Sequence, residues 1–156
     1  MKRIKLTQNK WALVDSEDYP LLSKYNWHAV YRKGSMSFAA KTHFGDKDRY
    51  MHRIITNCPT GLVVDHINHD TLDNRKKNLR ICTKAQNTYN SSKRRKNRCG
   101  YKGVSINYGK YFVQIKKDGH AMCLGRFNNL IEAAKAYDKK AKELFGEFAC
   151  LNFPQE

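Results

Sequence analysis

A polar and strongly basic segment divides this chain into two parts. Residues 89–100 read YNSSKRRKNRCG, with five lysine or arginine side chains and almost no apolar ones. Such a composition does not form a packed core, so we interpret residues 91–99 as a basic linker. A chain of 156 residues with 40% apolar side chains has room for two small domains. We therefore predict one domain over residues 1–90 and a second over residues 100–156.

Both parts carry the same excess of positive charge. The chain has 30 lysine and arginine residues against 14 acidic ones, a net charge of +16. Residues 1–90 hold 16 basic and 8 acidic side chains, and residues 91–156 hold 14 and 6, so each part carries +8. An excess this large attracts polyanions. We expect nucleic acid to be the partner of both parts.

The sequence argues against a membrane or secreted protein. Its apolar runs are all shorter than a bilayer span, and the start, MKRIKLTQNKW, does not contain the long apolar core of a secretion signal. The five cysteines are widely spaced and form no CxxC pair, which argues against a disulfide framework and a thiolate zinc site. We expect a cytoplasmic protein with reduced thiols, no structural zinc and no membrane partner.

A cluster of histidine, aspartate and asparagine residues fills the sequence VDHINHDTLDNRKKNLRICTKAQN, residues 64–87. Residues 62–67 and 79–82 are short apolar runs typical of strands, and the polar residues 68–78 form a loop between them. Thr83 followed by Gln86 is a capping box, which indicates the start of a helix. The predicted order is therefore strand, loop, strand and helix.

The cluster contains the groups needed to hydrolyse a phosphodiester bond. This reaction needs a base to activate water and a cation to stabilise charge on the phosphate and the leaving oxygen. His66 has an ordinary pKa of about 6.5 and is the candidate base. Oxygen ligands suit Mg²⁺, and Asp65 and the side-chain carbonyl of Asn87 can supply them. Asn87 falls in the first turn after Thr83, so a rigid helix end would hold it.

These motifs resemble the HNH nuclease family. The resemblance rests on DHI, the Asn74-Arg75 pair, NLR from Asn78 and the terminal TKAQN, and the preceding MHR resembles the lead-in of phage and intron-encoded members. It implies a ββα-metal finger with Asp65 and Asn87 as metal ligands, His66 as general base and Asn78 as the loop-fixing residue of the catalytic site. It also implies a bacterial host or phage-infected cell as the setting.

Some features of the cluster leave alternatives open. Neighbours on a regular strand point to opposite faces, so the strand must twist or end for Asp65 and His66 to share a site. His66 could instead be an ordinary packed or surface histidine. His52 could buttress the site, contact phosphate or simply pack. His69 occupies a loop position where the family often has glycine, and we interpret it as a turn residue.

The second domain has the pattern of three strands followed by one helix. The strands are YKGVSI, KYFVQIK and AMCLGRF, with turns at residues 107–109 and 118–119. A helix should begin after Asn129, with Glu132 completing the cap, and end at Gly146. On the middle strand, alternation points Tyr111, Val113 and Ile115 to the helix and leaves a basic face outside. We predict an α+β fold in which this antiparallel sheet packs on the C-terminal helix.

This half resembles the Apetala-two type DNA-binding domain of plant ethylene-response factors, which also occurs fused to HNH nucleases. The resemblance rests on KGVS, KYFVQIK, LGRF, EAAKAYD and FGEFACLNF. It implies a sheet in the major groove with contacts from Lys102, Tyr108, Gln114 and Lys116. Charge and strand parity add further candidates. The DNA-binding prediction also includes Lys110, Arg126, Arg75, and the linker residues Lys93, Arg94, Arg95, Lys96 and Arg98.

Two departures limit what this second resemblance implies. The plant domain usually carries more arginines on its first strand, where this chain has Ser105 and Ile106, and a tryptophan where it has Tyr108 or Cys123. The plant target sequence is therefore not transferred. Gln114 remains the best candidate base reader, because a carboxamide can bind adenine through two hydrogen bonds.

Together these patterns predict a metal-dependent, site-directed endonuclease of the homing type acting on double-stranded DNA. Mg²⁺ is the expected cofactor, with Mn²⁺ or another divalent cation as alternatives. One site per chain predicts nicking by a monomer, and double-strand cutting would need a dimer on DNA or two events. The alternatives are a catalytically inactive DNA-binding regulator on a nuclease fold and an RNA-binding protein, which explains the charge but not the cluster.

Overall fold

The chain folds into two compact units, residues 1–84 and residues 85–156. The computed structural model describes residues 1–34, 36–92 and 97–154. The sequence prediction ended the first domain at residue 90, whereas the second unit begins at Ala85. Tyr89 shows the physical reason. Its ring stacks on that of Phe145 with centroids 4.1 Å apart, and its carbonyl accepts a hydrogen bond from Lys102 Nζ at 2.7 Å.

The first unit is built from short antiparallel strands and small helices. Its elements are β1 (Lys2–Lys5), β2 (Trp11–Val14), α1 (Tyr19–Leu22), β3 (His28–Arg32), β4 (Ser37–Phe44), β5 (Lys47–Tyr50), α2 (Met51–Thr56), β6 (Val63–His66) and β7 (Leu79–Cys82). β1 pairs with β2, β3 with β4 and β4 with β5, and β6 with β7. The core of the unit includes Val14, Leu22, Trp27 and Met51, which are nearly inaccessible to solvent.

Two elements of this unit were not assigned from the sequence. β5 reads KDRY, is almost entirely exposed and has no apolar alternation, so only its pairing with β4 makes it a strand. α2 reads MHRIIT and is too short to show a helical period in the sequence. It buries Met51 and His52 and ends at Asn57, whose φ of 46° is left-handed. This helix brings His52 into the interior beside the end of β6.

The polar cluster has the predicted order of elements. β6 and β7 form an antiparallel hairpin in which Asp65 lies opposite Arg80 and His66 opposite Leu79. A 3₁₀ turn over Lys76–Asn78 leads into β7, and α3 (Lys84–Tyr89) begins directly after Thr83. The strand, loop, strand and helix order is therefore confirmed.

The second unit has one antiparallel sheet and one long helix. After α3 its elements are β8 (Val104–Asn107), β9 (Lys110–Lys117), β10 (His120–Phe127) and α4 (Leu130–Phe145), followed by a 3₁₀ turn over Gly146–Phe148. The strand order is β10-β9-β8. Val113 and Ile115 are buried against α4, as alternation predicted. The predicted α+β architecture is confirmed.

Local capping explains where α4 begins and ends. The side-chain oxygen of Asn129 accepts hydrogen bonds from the backbone amides of Ile131 and Glu132, so the predicted cap is present. Gly146 follows the last turn with a φ of 52°. The buried carboxylate of Asp138 accepts hydrogen bonds from the backbone amides of Asn152 and Phe153, each at 2.8 Å, which fixes the last described residues on the helix. Within the described residues, no helix has the length and apolarity needed to cross a membrane.

Candidate active site and basic sheet face

Asp65 and His66 lie side by side at the end of β6. Only 4% of Asp65 and 7% of His66 is exposed. β6 ends at His66, whose carbonyl accepts a turn hydrogen bond from the amide of His69 at 3.0 Å. Both residues keep their register with β7, so the strand ends only after the residue that carries the candidate base.

The imidazole of His66 is oriented by Asn74. Its Nε2 lies 3.3 Å from Oδ1 of Asn74, and Nδ2 of Asn74 donates to the carbonyl of Leu72 at 3.3 Å. Because the amide group of Asn74 faces a carbonyl, its oxygen faces the imidazole, so Nε2 carries the proton. Nδ1 is then the nitrogen that can accept a proton. Asn74 itself is completely buried.

Burial keeps His66 in its neutral form. Desolvation lowers the pKa of His66 below its ordinary value, while the hydrogen bond with Asn74 and the nearby carboxylates of Asp65, Asp70 and Asp73 act in the opposite direction. A neutral imidazole with its proton on Nε2 is the form that acts as a general base.

His52 contacts the ring of His66 from α2. The two rings meet edge to face, with centroids 5.3 Å apart, and Tyr50 stacks on His52 with centroids 5.6 Å apart. Burial, with smaller contributions from the charges of His66, Arg32 and Arg53, lowers the pKa of His52 to about 3. Among the described residues, Nδ1 of His52 has no hydrogen-bond partner. His52 is therefore a neutral ring packed against the candidate base.

Arg80 holds the carboxylate of Asp65. Oδ2 of Asp65 accepts a hydrogen bond from Nε of Arg80 at 2.8 Å and forms an ion pair with Nη2 at 2.7 Å. The pair follows from the register of the hairpin, in which the two residues face each other. Asn87, the other predicted ligand, is exposed on α3. In the part of the chain that the structure describes, no three His, Cys, Asp or Glu side chains converge on one point.

Asn78 ties the two ends of the loop together. Its Oδ1 accepts from the amide of Asn68 at 2.9 Å, and its Nδ2 donates to the carbonyl of Asp73 at 2.8 Å. The loop is also fastened to β2, since Leu13 donates to Leu72 and accepts from Asn74, each at 2.8 Å. These are the contacts that a loop-fixing residue needs, although the catalytic assignment of Asn78 stays a prediction.

The backbone of this loop explains a sequence departure. His69 has a φ of 66°, which lies in the left-handed region where glycine is favoured. A family preference for glycine at this position therefore has a steric reason.

Arg75, a predicted DNA contact, forms two hydrogen bonds with the buried carboxylate of Asp73, at 2.6 and 2.7 Å. The guanidinium lowers the pKa of this carboxylate. Much of its guanidinium is thus occupied within the loop.

The outer face of the second sheet carries several of the predicted DNA contacts. Gln114 lies opposite Cys123, Lys116 opposite Ala121 and Arg126 opposite Phe112, so strand parity puts these side chains on the side away from α4. Lys110, Gln114, Lys116 and Arg126 are exposed, and Tyr108 at the β8–β9 turn is 93% exposed. The structure therefore brings the four strand residues to one surface of the unit, and Tyr108 is exposed at the adjoining turn.

The remaining predicted contacts are placed differently. Lys102 is half-buried, its Nζ donates to the carbonyl of Tyr89, and burial lowers its pKa. Arg98, near the end of the predicted linker, is exposed. The predictions for Lys93, Arg94, Arg95 and Lys96 lie outside the described residues.

Sequence reasoning missed three residues that shape the candidate active site. Asn74 had been noted only as part of a motif, Arg80 had no assigned role, and His52 had been left open between several roles. The signal for Arg80 was available in the hairpin register once both strands were assigned. The contacts of Asn74 and His52 with His66 depend on tertiary folding of the loop and of α2.

The chain is similar to proteins of one family over most of its length. A family model described as HNH endonuclease matches residues 49–89. A protein named as an uncharacterized HNH endonuclease of Acanthamoeba polyphaga mimivirus is 32% identical over 146 residues, covering 91% of this chain and 74% of the viral protein. No solved structure matches the chain significantly.

A separate similarity concerns about a third of the chain. The dehydration-responsive element-binding proteins 2A and 2C of Arabidopsis thaliana are 41% identical over 61 residues and 43% identical over 60 residues. These matches cover 37% and 36% of this chain, which spans only 18% of each plant protein. They support the predicted fusion with a plant-type domain.

The match to the viral protein over most of both chains confirms the predicted family: this chain belongs to the HNH endonuclease family.

Proposed function

We propose that this protein is a metal-dependent, site-directed DNA endonuclease of the homing type. The first unit would cut the backbone, and the sheet of the second unit would select the site. The observation that carries the proposal is the contact between Nε2 of His66 and Oδ1 of Asn74, 3.3 Å apart. With the proton on Nε2, Nδ1 of this buried imidazole is the proposed proton acceptor.

The proposed reaction is hydrolysis with His66 as general base. Nδ1 of His66 takes a proton from a water molecule, and the water oxygen forms a bond to phosphorus while the bond to the leaving oxygen breaks. Asp65 and Asn87 remain the predicted ligands, because a carboxylate oxygen and an amide oxygen are donors that suit a hard divalent cation. When bound, Mg²⁺ would stabilise negative charge on the phosphate and the leaving oxygen. Arg80 orients the carboxylate of Asp65 for this role.

His52 is proposed as a positioning residue. Its neutral ring meets the ring of His66 edge to face and is itself stacked on Tyr50. Asn74 restrains the same imidazole through Nε2. Two independent contacts therefore hold His66 in one orientation, which reduces the reorganisation needed to reach the transition state.

Site selection is assigned to the outer face of the second sheet. Its exposed side chains combine cations that bind phosphates with Gln114, which can read adenine in the major groove. A three-stranded sheet can enter a groove about 12 Å wide. The similarity to plant proteins whose names describe element binding supports this assignment. Duplex DNA is thus the proposed substrate and partner.

Cleavage of one strand by a monomer follows from the number of sites. Each chain contributes one His66 beside one Asp65, which serves one phosphodiester bond at a time. The amount of nicked DNA formed in a single turnover, measured against the amount of protein added, gives the number of chains per cut. A single chain that cuts both strands in one encounter would contradict this part of the proposal.

The direct test is to incubate the protein with the DNA that flanks its gene, in Mg²⁺, in Mn²⁺ and in a chelator. We expect a defined nick with a divalent cation and intact DNA with the chelator. His66→Ala should abolish cleavage while binding the duplex with nearly unchanged affinity, because phosphate contacts lie elsewhere. His69→Gly is the matched control in the same loop and should cut normally.

Each other outcome has a definite meaning. Undiminished cutting by His66→Ala would show that the base is wrongly assigned. Tight duplex binding by the wild-type protein, without cleavage in any divalent cation, would favour a DNA-binding regulator. Preferential displacement of the duplex by RNA in a competition assay would favour an RNA-binding protein.

A further inference from the structure

Four side chains of the first unit form a continuous stack that ends at the candidate base. The guanidinium carbon of Arg32 lies 4.7 Å from the centroid of the Tyr50 ring. The Tyr50 ring is nearly parallel to that of His52, with an interplanar angle of 11°, and the rings of His52 and His66 meet edge to face. The stack connects β3, the end of β5, α2 and β6. Its outer end is exposed, whereas His52 and His66 are buried.

Arg32 carries a charge that the described residues leave without an acidic partner. Lys41, a neighbouring cation on the same sheet, differs because it pairs with Asp48. The contact with Tyr50 restrains the guanidinium by a cation–π interaction, which leaves its N–H edge available to an anion. Arg32 is therefore a positioned cation whose hydrogen-bonding groups can accept a ligand from solvent.

Arg32 lies at the exposed end of one face of its sheet. Arg32 pairs with Ser37 across β3 and β4, and the next pair whose side chains lie on the same face is Val30 with Ala39. Lys41 and Tyr50 form another pair on this face. Exposure falls along this face, since Arg32 is exposed, Val30 is half-buried and only 1% of Ala39 is accessible. A polyanion would therefore meet this face at the guanidinium of Arg32.

We propose that Arg32, held on Tyr50, binds a backbone phosphate of the DNA strand a few nucleotides from the bond that His66 attacks. Guanidinium groups bind phosphate through two parallel hydrogen bonds, which fix position as well as affinity. The stack consists of contacts of 4.7, 5.6 and 5.3 Å. Since one strand of DNA advances about 3.4 Å per nucleotide, its two ends are a few nucleotides apart.

This phosphate subsite deepens the proposed function and rests on it. The second unit would choose the sequence, while the contact at Arg32 would set which phosphate of the bound strand lies at His66. The subsite belongs to the nuclease unit alone. Its loss should therefore affect cleavage and the local backbone contact without changing the sequence that is selected.

The experiment compares Arg32→Ala and Arg32→Lys with Lys5→Ala. Lys5 is exposed on β1 of the same unit, so Lys5→Ala removes the same charge without touching the stack. Binding to the native duplex is measured in a chelator over a range of salt concentrations. Phosphate-ethylation interference then maps the backbone contacts of each protein, and single-turnover rates in Mg²⁺ measure cleavage. Thermal melts verify that each variant is folded.

We expect Arg32→Ala to lose interference at one phosphate within a few nucleotides of the cut. Its binding should show a salt slope smaller by about 0.9, the value for one phosphate contact. Its cleavage rate at subsaturating protein should fall about tenfold, a typical effect of losing one charge-assisted contact. Arg32→Lys should keep the salt slope but weaken the interference, because lysine keeps the charge and not the bidentate geometry.

An interference pattern and salt slope of Arg32→Ala that match those of Lys5→Ala would overturn the subsite. This failure is distinct from failure of the proposed function, which would appear as a wild-type protein that leaves DNA intact in every divalent cation. The binding measurements need no cleavage, so they test the subsite even in that case. A wild-type protein that does not bind duplex DNA would overturn both.

Discussion

Oδ1 of Asn74 faces Nε2 of His66 at 3.3 Å, so a buried amide decides which nitrogen of the imidazole carries the proton. The amide cannot rotate freely, because its Nδ2 donates to the carbonyl of Leu72. The backbone of Asn74 is in turn bonded to Leu13 on β2. The tautomer of the candidate base is therefore fixed by the attachment of the loop to a neighbouring sheet.

Removing this amide should impair cleavage without removing the base. In Asn74→Ala, the ring of His66 loses the partner of Nε2, so a fraction of molecules would place the proton on Nδ1. We expect the single-turnover rate on saturating duplex to fall about tenfold to a hundredfold, less than the full contribution of a general base. Duplex affinity in a chelator should not change. An unchanged rate in a folded variant would show that Asn74 does not control the tautomer.

The buried His52 should make the first unit sensitive to acid. Its pKa is about 3 in the folded chain and about 6.5 when unfolded, so the unfolded chain binds the proton more readily between these values. Stability is then fully present above pH 6.5 and is lost as the pH falls toward 3. From pH 6.5 to 5, this group should lower the free energy of unfolding by about 2 kcal/mol. The lowered pKa of His66 acts in the same direction.

His52→Phe isolates this effect. Phenylalanine keeps an aromatic ring between Tyr50 and His66 but does not titrate. Because Nδ1 of His52 has no hydrogen-bond partner among the described residues, the substitution breaks no hydrogen bond at this atom. Denaturant unfolding at pH 7.5 and pH 5 should show a smaller loss of stability for this variant than for the wild type. His120→Phe, at an exposed position on β10, is the control and should leave the difference unchanged. Equal acid sensitivity of His52→Phe and the wild type would contradict the prediction.

Gly103 should be indispensable for the second unit. Its φ of 77° is left-handed, and a Cβ placed there would overlap the ring of Tyr137 in the buried core. Gly103→Ala should therefore destabilise this unit by about 2 kcal/mol or more, through backbone strain and overpacking together. The expected result is a lower denaturation midpoint and weaker duplex binding. Gly109→Ala is the control, because its Cβ would meet nothing within 4 Å although its φ of 73° is similar. If Gly103→Ala and Gly109→Ala lower the denaturation midpoint equally, the ring of Tyr137 moves aside without a loss of stability.

Features with a local chemical signal could be predicted from the sequence. Asn129 and Gly146 mark the ends of α4 because capping depends on the nearest backbone groups. The hairpin around Asp65 and His66 could be predicted because its two apolar runs flank a polar loop. β5 could not, since Lys47–Tyr50 carries no apolar pattern and becomes a strand only through its pairing with β4.

Contacts between residues distant in sequence explain the rest of the site. The charge of Asp65 is balanced by Arg80 only once the hairpin register is known, and His52 reaches His66 only because α2 packs there. The boundary near residue 85 likewise depends on Tyr89 docking on Phe145. The residue types in a motif indicate which reaction is possible. The groups that orient the base can be identified only once the tertiary structure is known.

Lys116 tests whether the outer face of the second sheet contacts DNA. It is exposed on β9, opposite Ala121, on the same face as Gln114. If it contacts a phosphate, Lys116→Ala should weaken duplex binding and reduce the salt slope by about 0.9 without altering the metal requirement for cleavage. Lys139→Ala, which removes an exposed charge from α4, is the matched control and should bind as the wild type does. If affinity and salt slope of the two variants coincide, this strand does not lie on the DNA, and site selection must belong to another surface of the protein.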